Sequence, residues 1–408
     1  MPSHGDDANT DCNAMSRSFC LPSSVSYGQR PGWRQAGFTL IELMISMVIG
    51  LLIVLALVTL LINVSRNNGE MSKSNRVIEN GRFALQLLQA DISHAGFWDG
   101  FIPDFDNLAT TGVPADYPNA VPDPCLAYAS WTAQYKTNMV GMAVQGYEIP
   151  ATVPSPTLSV CSSVVTSPKA STDVLLVRHA ENCLPGVGGC TAQATGEVYF
   201  QMARCGTTTP SPAYVLDSDT ATFTLQKRDC TTTADIRKYV SSLYYIRSYA
   251  VTVGDGIPTL MRSQFVLSGG TLAHKTAEAM IEGVEGFRVE YGIDSVSNSG
   301  GAVNFASAID WADAATKTSP TNRGDGIPEG AYVRCTTAVP CTVDQLASTV
   351  AVKIYVLIRS ANQTPGYVDS KTYNLGSTTL GPFSDGYKRH LFSQTIRLNN
   401  VSSRRATS

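Results

Sequence analysis

Residues 43–65 hold no charged side chain, and Glu42 and Arg66 bound them. A helix of that length spans the hydrocarbon core of a bilayer. Fourteen of the residues in 43–62 are Leu, Ile or Val, each favouring insertion by about 0.3 to 0.6 kcal/mol. Their sum, on the order of 6 kcal/mol, exceeds the roughly 3 kcal/mol that one acidic residue costs at a helix centre. Glu42 stands at the end of the run, where that cost is smaller. The run therefore reads as a transmembrane helix, and any fold for the chain must be hung from it.

Three kinds of segment contain such a run. A secretory signal peptide has a shorter apolar region and a small-x-small cleavage site; here the run is too long, and Leu61-Ile62-Asn63-Val64-Ser65-Arg66 lacks that site. A plain signal anchor accounts for the hydrophobicity but not for the junction Arg34-Gln35-Ala36-Gly37-Phe38-Thr39-Leu40-Ile41-Glu42-Leu43. That junction resembles the type IV prepilin processing motif. A glycine between a polar leader and a helix also leaves backbone open to a peptidase at the membrane surface. The resemblance implies a leader at 1–37, cut by a prepilin peptidase between Gly37 and Phe38, and N-methylation of Phe38. It also implies that Glu42 sets assembly register by pairing with the N-terminal amine of a neighbouring subunit. An ionisable group at the start of a membrane helix is costly and needs a partner.

Arg30 and Arg34 precede the span, whereas Arg66, Lys73 and Arg76 follow it, so basic residues do not favour a cytoplasmic leader. A cytoplasmic N-terminus rests instead on the motif and on the cysteines. Met1 and Met15 are both open as start sites.

Net charge is −3 over 408 residues, which argues against binding nucleic acid by phosphate neutralisation. Of ten cysteines, none is spaced C-x-x-C, so neither a zinc ribbon nor a thioredoxin-type motif is indicated. Near pairs in loop-like sequence suit disulfides in an oxidising compartment. Proximity suggests Cys183 with Cys190 and Cys335 with Cys341, then Cys125 with Cys161 and Cys205 with Cys230.

Past the span, Asn67-Asn68-Gly69 is a weak helix-breaking spot where a bend is expected. Val77, Ile78, Ala84, Leu85, Leu88, Ile92 and Ala95 then resume a helical apolar stripe. The reading is one helix over 38–95, packed by its second half on a globular domain and ended by Gly96. From Phe97 the period changes, with strands expected at 173–178, 196–201, 240–253, 260–267, 284–291, 349–359 and 390–398. Long polar stretches at 103–124, 150–170 and 294–330 separate them. The expected fold class is α+β: a long membrane-spanning N-terminal helix (38–96, transmembrane 43–65) on a large antiparallel β-rich domain (97–408). Gly-Asp-Gly-Ile-Pro occurs at 254–258 and 324–328 and reads as two turns rather than a calcium loop.

Gly81-Arg82-Phe83-Ala84, Gln89-Ala90-Asp91-Ile92 and Gly96-Phe97 look like the post-membrane helix of the PilW family of minor pilins. Ile281 to Phe287 with Tyr291-Gly292, the strand at 350–359, and the segment 387–399 with Arg389 and Arg397 resemble its later parts. The resemblance implies a minor pilin that helps initiate type IV pilus assembly and twitching motility. Its implied partners are prepilin peptidase, other minor pilins, the major pilin and the inner membrane. The implied location is single-pass in that membrane with a periplasmic domain, then pilus or cell surface. A type II secretion pseudopilin and a membrane-anchored periplasmic enzyme or binding module are the rivals. No hydrolase, phosphate-binding or metalloprotease motif occurs. His179-Ala180-Glu181 lacks the P-C-x-x-C that a zinc deaminase needs. No catalytic residue, cofactor, metal or nucleic-acid partner is expected.

Overall fold

The computed structural model describes residues 37–152, 158, 161–206 and 212–406. The expected leader, its arginines and both candidate start sites lie outside them, apart from Gly37. The chain divides into two units, one ending at Val64 and the other running over Ser65–Ser408.

The first unit contributes the start of α1 (Leu40–Ile92), a helix long and apolar enough to cross a membrane. Its polar side chains are satisfied locally. The Ser46 hydroxyl donates to the Glu42 carbonyl at 2.6 Å, and the Thr59 hydroxyl to that of Leu55 at 2.8 Å. Neither needs water, which suits a lipid environment.

Helix α1 runs unbroken through the weak spot at Asn67, Asn68 and Gly69. One glycine costs only about 1 kcal/mol relative to alanine, too little to interrupt a helix already propagating on both sides. In the second unit α1 buries Val77, Gly81, Ala84, Leu88 and Ile92. These positions recur every three or four residues and form one face. Ile78, one residue off that face, stays exposed, and Gly81 takes a place that hydrophobicity alone did not assign. The helix stops at Ile92, four residues before Gly96, whose φ is +73° and whose N–H donates to Arg178 O.

Two antiparallel sheets follow. The first comprises β1 (Val144–Ile149), β2 (Thr172–Ala180), β3 (Tyr199–Met202), β4 (Tyr214–Asp217), β5 (Ile236–Arg247), β6 (Thr259–Ser268), β7 (Thr271–His274) and β8 (Glu278–Glu282). Strand β5 is its spine, pairing with β2, β3 and β6. The second sheet consists of β9 (Val284–Ile293), β12 (Thr349–Arg359) and β15 (Arg389–Arg397), with β12 in the middle. Hairpins β10–β11 (Trp311–Asp313, Thr318–Pro320) and β13–β14 (Tyr373–Leu375, Thr378–Leu380) lie outside these sheets. Short helices α2 (Ala133–Gly141), α3 (Val343–Ala347) and α4 (Asn399–Arg405) complete the second unit.

The alternation of a strand explains the layering. Val350, Val352, Ile354, Val356 and Ile358 of β12 face the main core with Ala84, Leu88 and Ile92 of α1. Tyr355 and Leu357 point the other way, onto Tyr373 and Leu375 of the β13–β14 hairpin. In the first sheet Leu175, Val177, Tyr244 and Ile246 join the main core, while Val174, Leu176, Leu243 and Tyr245 face a further cluster closed by Leu158 and Cys161. Each fully buried aliphatic side chain contributes about 1.5–3 kcal/mol. Helix α1 is thus the shared wall of the core.

Strand β5 ends at Arg247 rather than reaching 253. The valines at 251 and 253 continued an apolar alternation, but the Asp255 carboxylate accepts the N–H groups of Ala250, Val251, Thr252 and Ile257 and folds the segment into a turn. Strand β3 begins at Tyr199, not 196, where Gly196 has a φ of +83°.

Candidate assembly and processing site

The expected cleavage junction precedes α1. Nothing stands within 4 Å of where a Gly37 side chain would project, and Phe38 is 82% exposed. Thr39 and Glu42 then close on each other. The Thr39 N–H donates to Glu42 Oε2 at 3.2 Å, and the Glu42 N–H donates to Thr39 Oγ1 at 3.3 Å. The Thr39 hydroxyl also donates to Glu42 Oε2 at 3.0 Å. This reciprocal pair is a capping box, satisfying two N–H groups that the first helical turn leaves without partners. Its signature, Thr-x-x-Glu before an apolar run, stands at 39–42 and could have been read from the sequence. Glu42 therefore has a role within its own chain, and its carboxylate sits at the positive end of the helix dipole.

Farther along, side chains lash α1 to the β-rich domain. Glu70 accepts from Lys73 at 2.8 Å, Lys388 at 2.7 Å and Thr364 at 2.7 Å. The hydrogen bond from Lys388, then those from Lys73 and Thr364, hold this carboxyl down at about 2. Asn80 donates to Glu282 O at 3.0 Å. At Gly81 the Phe392 ring occupies the space a side chain would need. Glycine lets α1 and β15 approach each other closely there with the ring in this position.

Near the end of α1, Asp91 makes the deepest attachment. Its Oδ1 meets His179 Nε2 at 2.9 Å, and its Oδ2 accepts from the Tyr244 hydroxyl at 2.9 Å. Burial opposes a charge on His179, but the Asp91 carboxylate outweighs it and raises the imidazole above its ordinary value. His179 of the His-Ala-Glu sequence is thus spent in a helix clamp. Asn400 of α4 donates to the carbonyls of Ser93, His94 and Ala95 at 3.3 Å each, covering the C-terminal end of α1.

Four disulfides join Cys125 to Cys161, Cys183 to Cys190, Cys205 to Cys230 and Cys335 to Cys341. Their Cα atoms stand 5.2, 6.3, 5.0 and 4.9 Å apart, within the usual span of such bridges. Glu181 approaches Cys183 and Cys190, but both sulfurs are bonded to each other and offer no thiolate.

Asp294, Asp325 and Glu329 bring carboxylate oxygens within 4.8 Å of one another, a grouping that chain spacing did not reveal. Each of the three carboxylates already accepts from donors of this chain. Asp294 accepts from Asp325 N, Gly326 N and Arg405; Asp325 accepts from Ile327 N; Glu329 accepts from Ser295 N and Val296 N. Burial raises the Asp294 carboxyl to about 6. The second Gly-Asp-Gly-Ile-Pro is therefore a turn whose N–H groups hold Asp294, itself a partner of Arg405, and the first is the Asp255 turn.

A family model described as type IV pilus-assembly protein W matches residues 243–400. The prokaryotic N-terminal methylation motif matches residues 34–58. Over those residues the chain is similar to the PilW family, behind a segment similar to the prepilin methylation motif. The longer match begins in β5 and runs through the second sheet into α4, taking in the segments near 281–292, 350–359 and 387–399. No curated protein matches the chain. Among solved structures, a type IV-like pilin from Thermus thermophilus is similar at 11% identity. That match covers 80% of this chain and 98% of the other, with a TM-score of 0.30.

Proposed function

We propose that this chain is a minor pilin of the PilW family that helps initiate type IV pilus assembly, and that it is not an enzyme. The observation that carries the reading is the methylation motif set immediately before an apolar helix whose outer surface is uncovered from Phe38 to Val64. Prepilin peptidase removes the leader after Gly37 and methylates Phe38 on the inner membrane. The helix then leaves lipid for a bundle with other minor pilins and the major pilin.

Glu42 carries the register. In the single chain its carboxylate rests on Thr39. On assembly it exchanges that capping contact for the N-terminal amine of a neighbour, a stronger charge-assisted bond. Because an ordinary helix cap contributes about 1 kcal/mol, the exchange is favourable once lipid excludes water. The four disulfides support a periplasmic location for the β-rich domain, with the leader in the cytoplasm.

Mass spectrometry of the mature N-terminus in cells with and without prepilin peptidase tests the processing step. A peptide starting at methylated Phe38 only when the peptidase is present is expected. An intact leader in both strains removes the assembly mechanism. A clean gene deletion should abolish or reduce surface pili and twitching motility; normal piliation would overturn the minor-pilin reading. Replacing residues 1–66 by an unrelated anchor should abolish function, whereas a tethered enzyme or binding module would survive it.

A further inference from the structure

The two edges of the second sheet differ. At the ends of the ladder between β12 and β15, the Ser360 N–H donates to Lys388 O and the Leu398 N–H to Val350 O, both at 2.8 Å. In an antiparallel ladder alternate residues turn both backbone groups toward the partner, and those between turn both away. These two bonds set the even-numbered residues of β15 inward, so Leu391, Ser393 and Thr395 direct their N–H and C=O groups away from the sheet. Among the described residues nothing hydrogen-bonds to those groups, and Ser393 and Thr395 are exposed. The opposite edge, on β9, is closed. There the Val289 N–H donates to Asp173 Oδ2 at 2.9 Å, and Tyr291 exchanges backbone bonds with Val333 at 2.7 and 2.8 Å.

An open edge templates strand addition, and proteins blunt it with proline, lysine, a bulge or short length. Strand β15 has none of these guards. It runs nine residues in unbroken register with β12, contains neither proline nor lysine, and has no Asp, Glu or Arg between its terminal arginines. An added strand would set one row of side chains beside Leu391, Ser393 and Thr395 and the other beside His390, Phe392 and Gln394. Both rows suit uncharged β-formers such as threonine and valine. The two ends differ in charge. Arg389 is already ringed by Glu285, Asp369 and Asp385. Arg397 is exposed, donates to Ser402 Oγ and Gly326 O, and has no carboxylate partner among the described residues. A second copy of β15 holds no acidic residue to offer it.

We infer that the outer edge of β15 is a docking site for an extended strand of a different protein, uncharged along its length and acidic at the end that meets Arg397. Its backbone completes the bonds of Leu391, Ser393 and Thr395 and adds a strand to the three of the second sheet. In the antiparallel sense, the more stable one, the acidic end is its N-terminus.

Residue-resolved hydrogen exchange tests this on the full-length chain in detergent micelles. In the free chain the amides of Leu391, Ser393 and Thr395 should exchange at least about tenfold faster than those of Phe392 and Gln394, which β12 holds. The probe is a capped synthetic peptide of about eight residues, one glutamate followed by alternating threonine and valine. At millimolar peptide the three outward amides should slow at least about tenfold, while those of Val289 and Tyr291 stay unchanged. Moving the glutamate to the other end of the peptide should weaken binding about two- to fivefold, the worth of one exposed ion pair. Arg397→Gln should erase that preference. Ser393→Pro removes an outward N–H without touching the ladder to β12, a place where an edge strand tolerates proline. It should abolish protection by the peptide, whereas Ser393→Val should keep it. Slow exchange of the three amides in the free chain would overturn the inference; its loss on dilution would show a second copy at the edge instead. Absence of protection at millimolar peptide, full protection in a folded Ser393→Pro chain, or equal binding of the two peptides would also overturn it. None of these readouts requires pilus assembly, so the strand site can fail while the minor-pilin reading stands.

Discussion

Replacing Asp91 by alanine removes the clamp between α1 and the first sheet. Tyr244 is 1% exposed and its hydroxyl donates to Asp91 Oδ2, so the change strands a buried donor. That costs about 1–3 kcal/mol. His179, 7% exposed, loses its counter-charge as well. Breaking a buried pair costs roughly 3–5 kcal/mol if the remaining group stays charged, and less if it sheds its proton. We expect a destabilisation of about 4 kcal/mol at pH 6, and about 2 kcal/mol at pH 8, where a lone buried imidazole is neutral. The pH dependence has a definite sign. The Asp91 carboxylate raises His179 in the folded chain, so the pair stabilises fully below the unfolded imidazole value of about 6.5. That contribution disappears as pH rises through the higher folded value. Without Asp91 burial opposes the charge on His179 against only the Ala180 carbonyl and Glu181, so this pH dependence weakens. Guanidinium unfolding of the mature chain in micelles, disulfides intact and followed by near-ultraviolet circular dichroism, gives both curves. Asp116 and Asp294 also titrate near 6, each raised by burial, so the difference between wild type and variant is the readout. A loss under about 1 kcal/mol that does not change between pH 6 and 8 would refute the clamp.

Other substitutions test other joints. Gly81→Ala gains about 1 kcal/mol of helix propensity against a clash with the half-buried Phe392 ring, which can swing aside on β15. It should be nearly neutral in a thermal melt, whereas Gly81→Leu should cost about 2–3 kcal/mol. Arg405→Ala strands Asp106 and Asp294, bonded to it at 2.8 and 3.4 Å, and should cost about 3–5 kcal/mol by denaturant unfolding. Arg405→Lys should fail to restore it, because one ammonium cannot also reach Ala347 O in the same fork. Loss of the Cys125–Cys161 bridge, separation 36, should cost about 4 kcal/mol; loss of Cys335–Cys341, separation 6, about 2 kcal/mol. Equal melting shifts for the two would count against a chain-entropy origin.

Chain chemistry alone determined everything local. The apolar run, the Gly37–Phe38 junction and the capping-box spacing of Thr39 and Glu42 are contiguous, and a spanning helix forms all its backbone hydrogen bonds internally. Strands β2, β9 and β12 were legible for the same reason: their hydrophobic runs are long and bounded. Strands of three or four residues, such as β4, β10 and β13, are too short to display a period. The segment at 248–257 misled because an Asp carboxylate, not hydrophobic alternation, decides its path. What tertiary structure alone decided are the meetings between distant residues: Asp91 with His179 and Tyr244, and Gly81 with Phe392. No periodicity encodes them, because each depends on which faces of α1 and the sheets the burial of apolar area brings together.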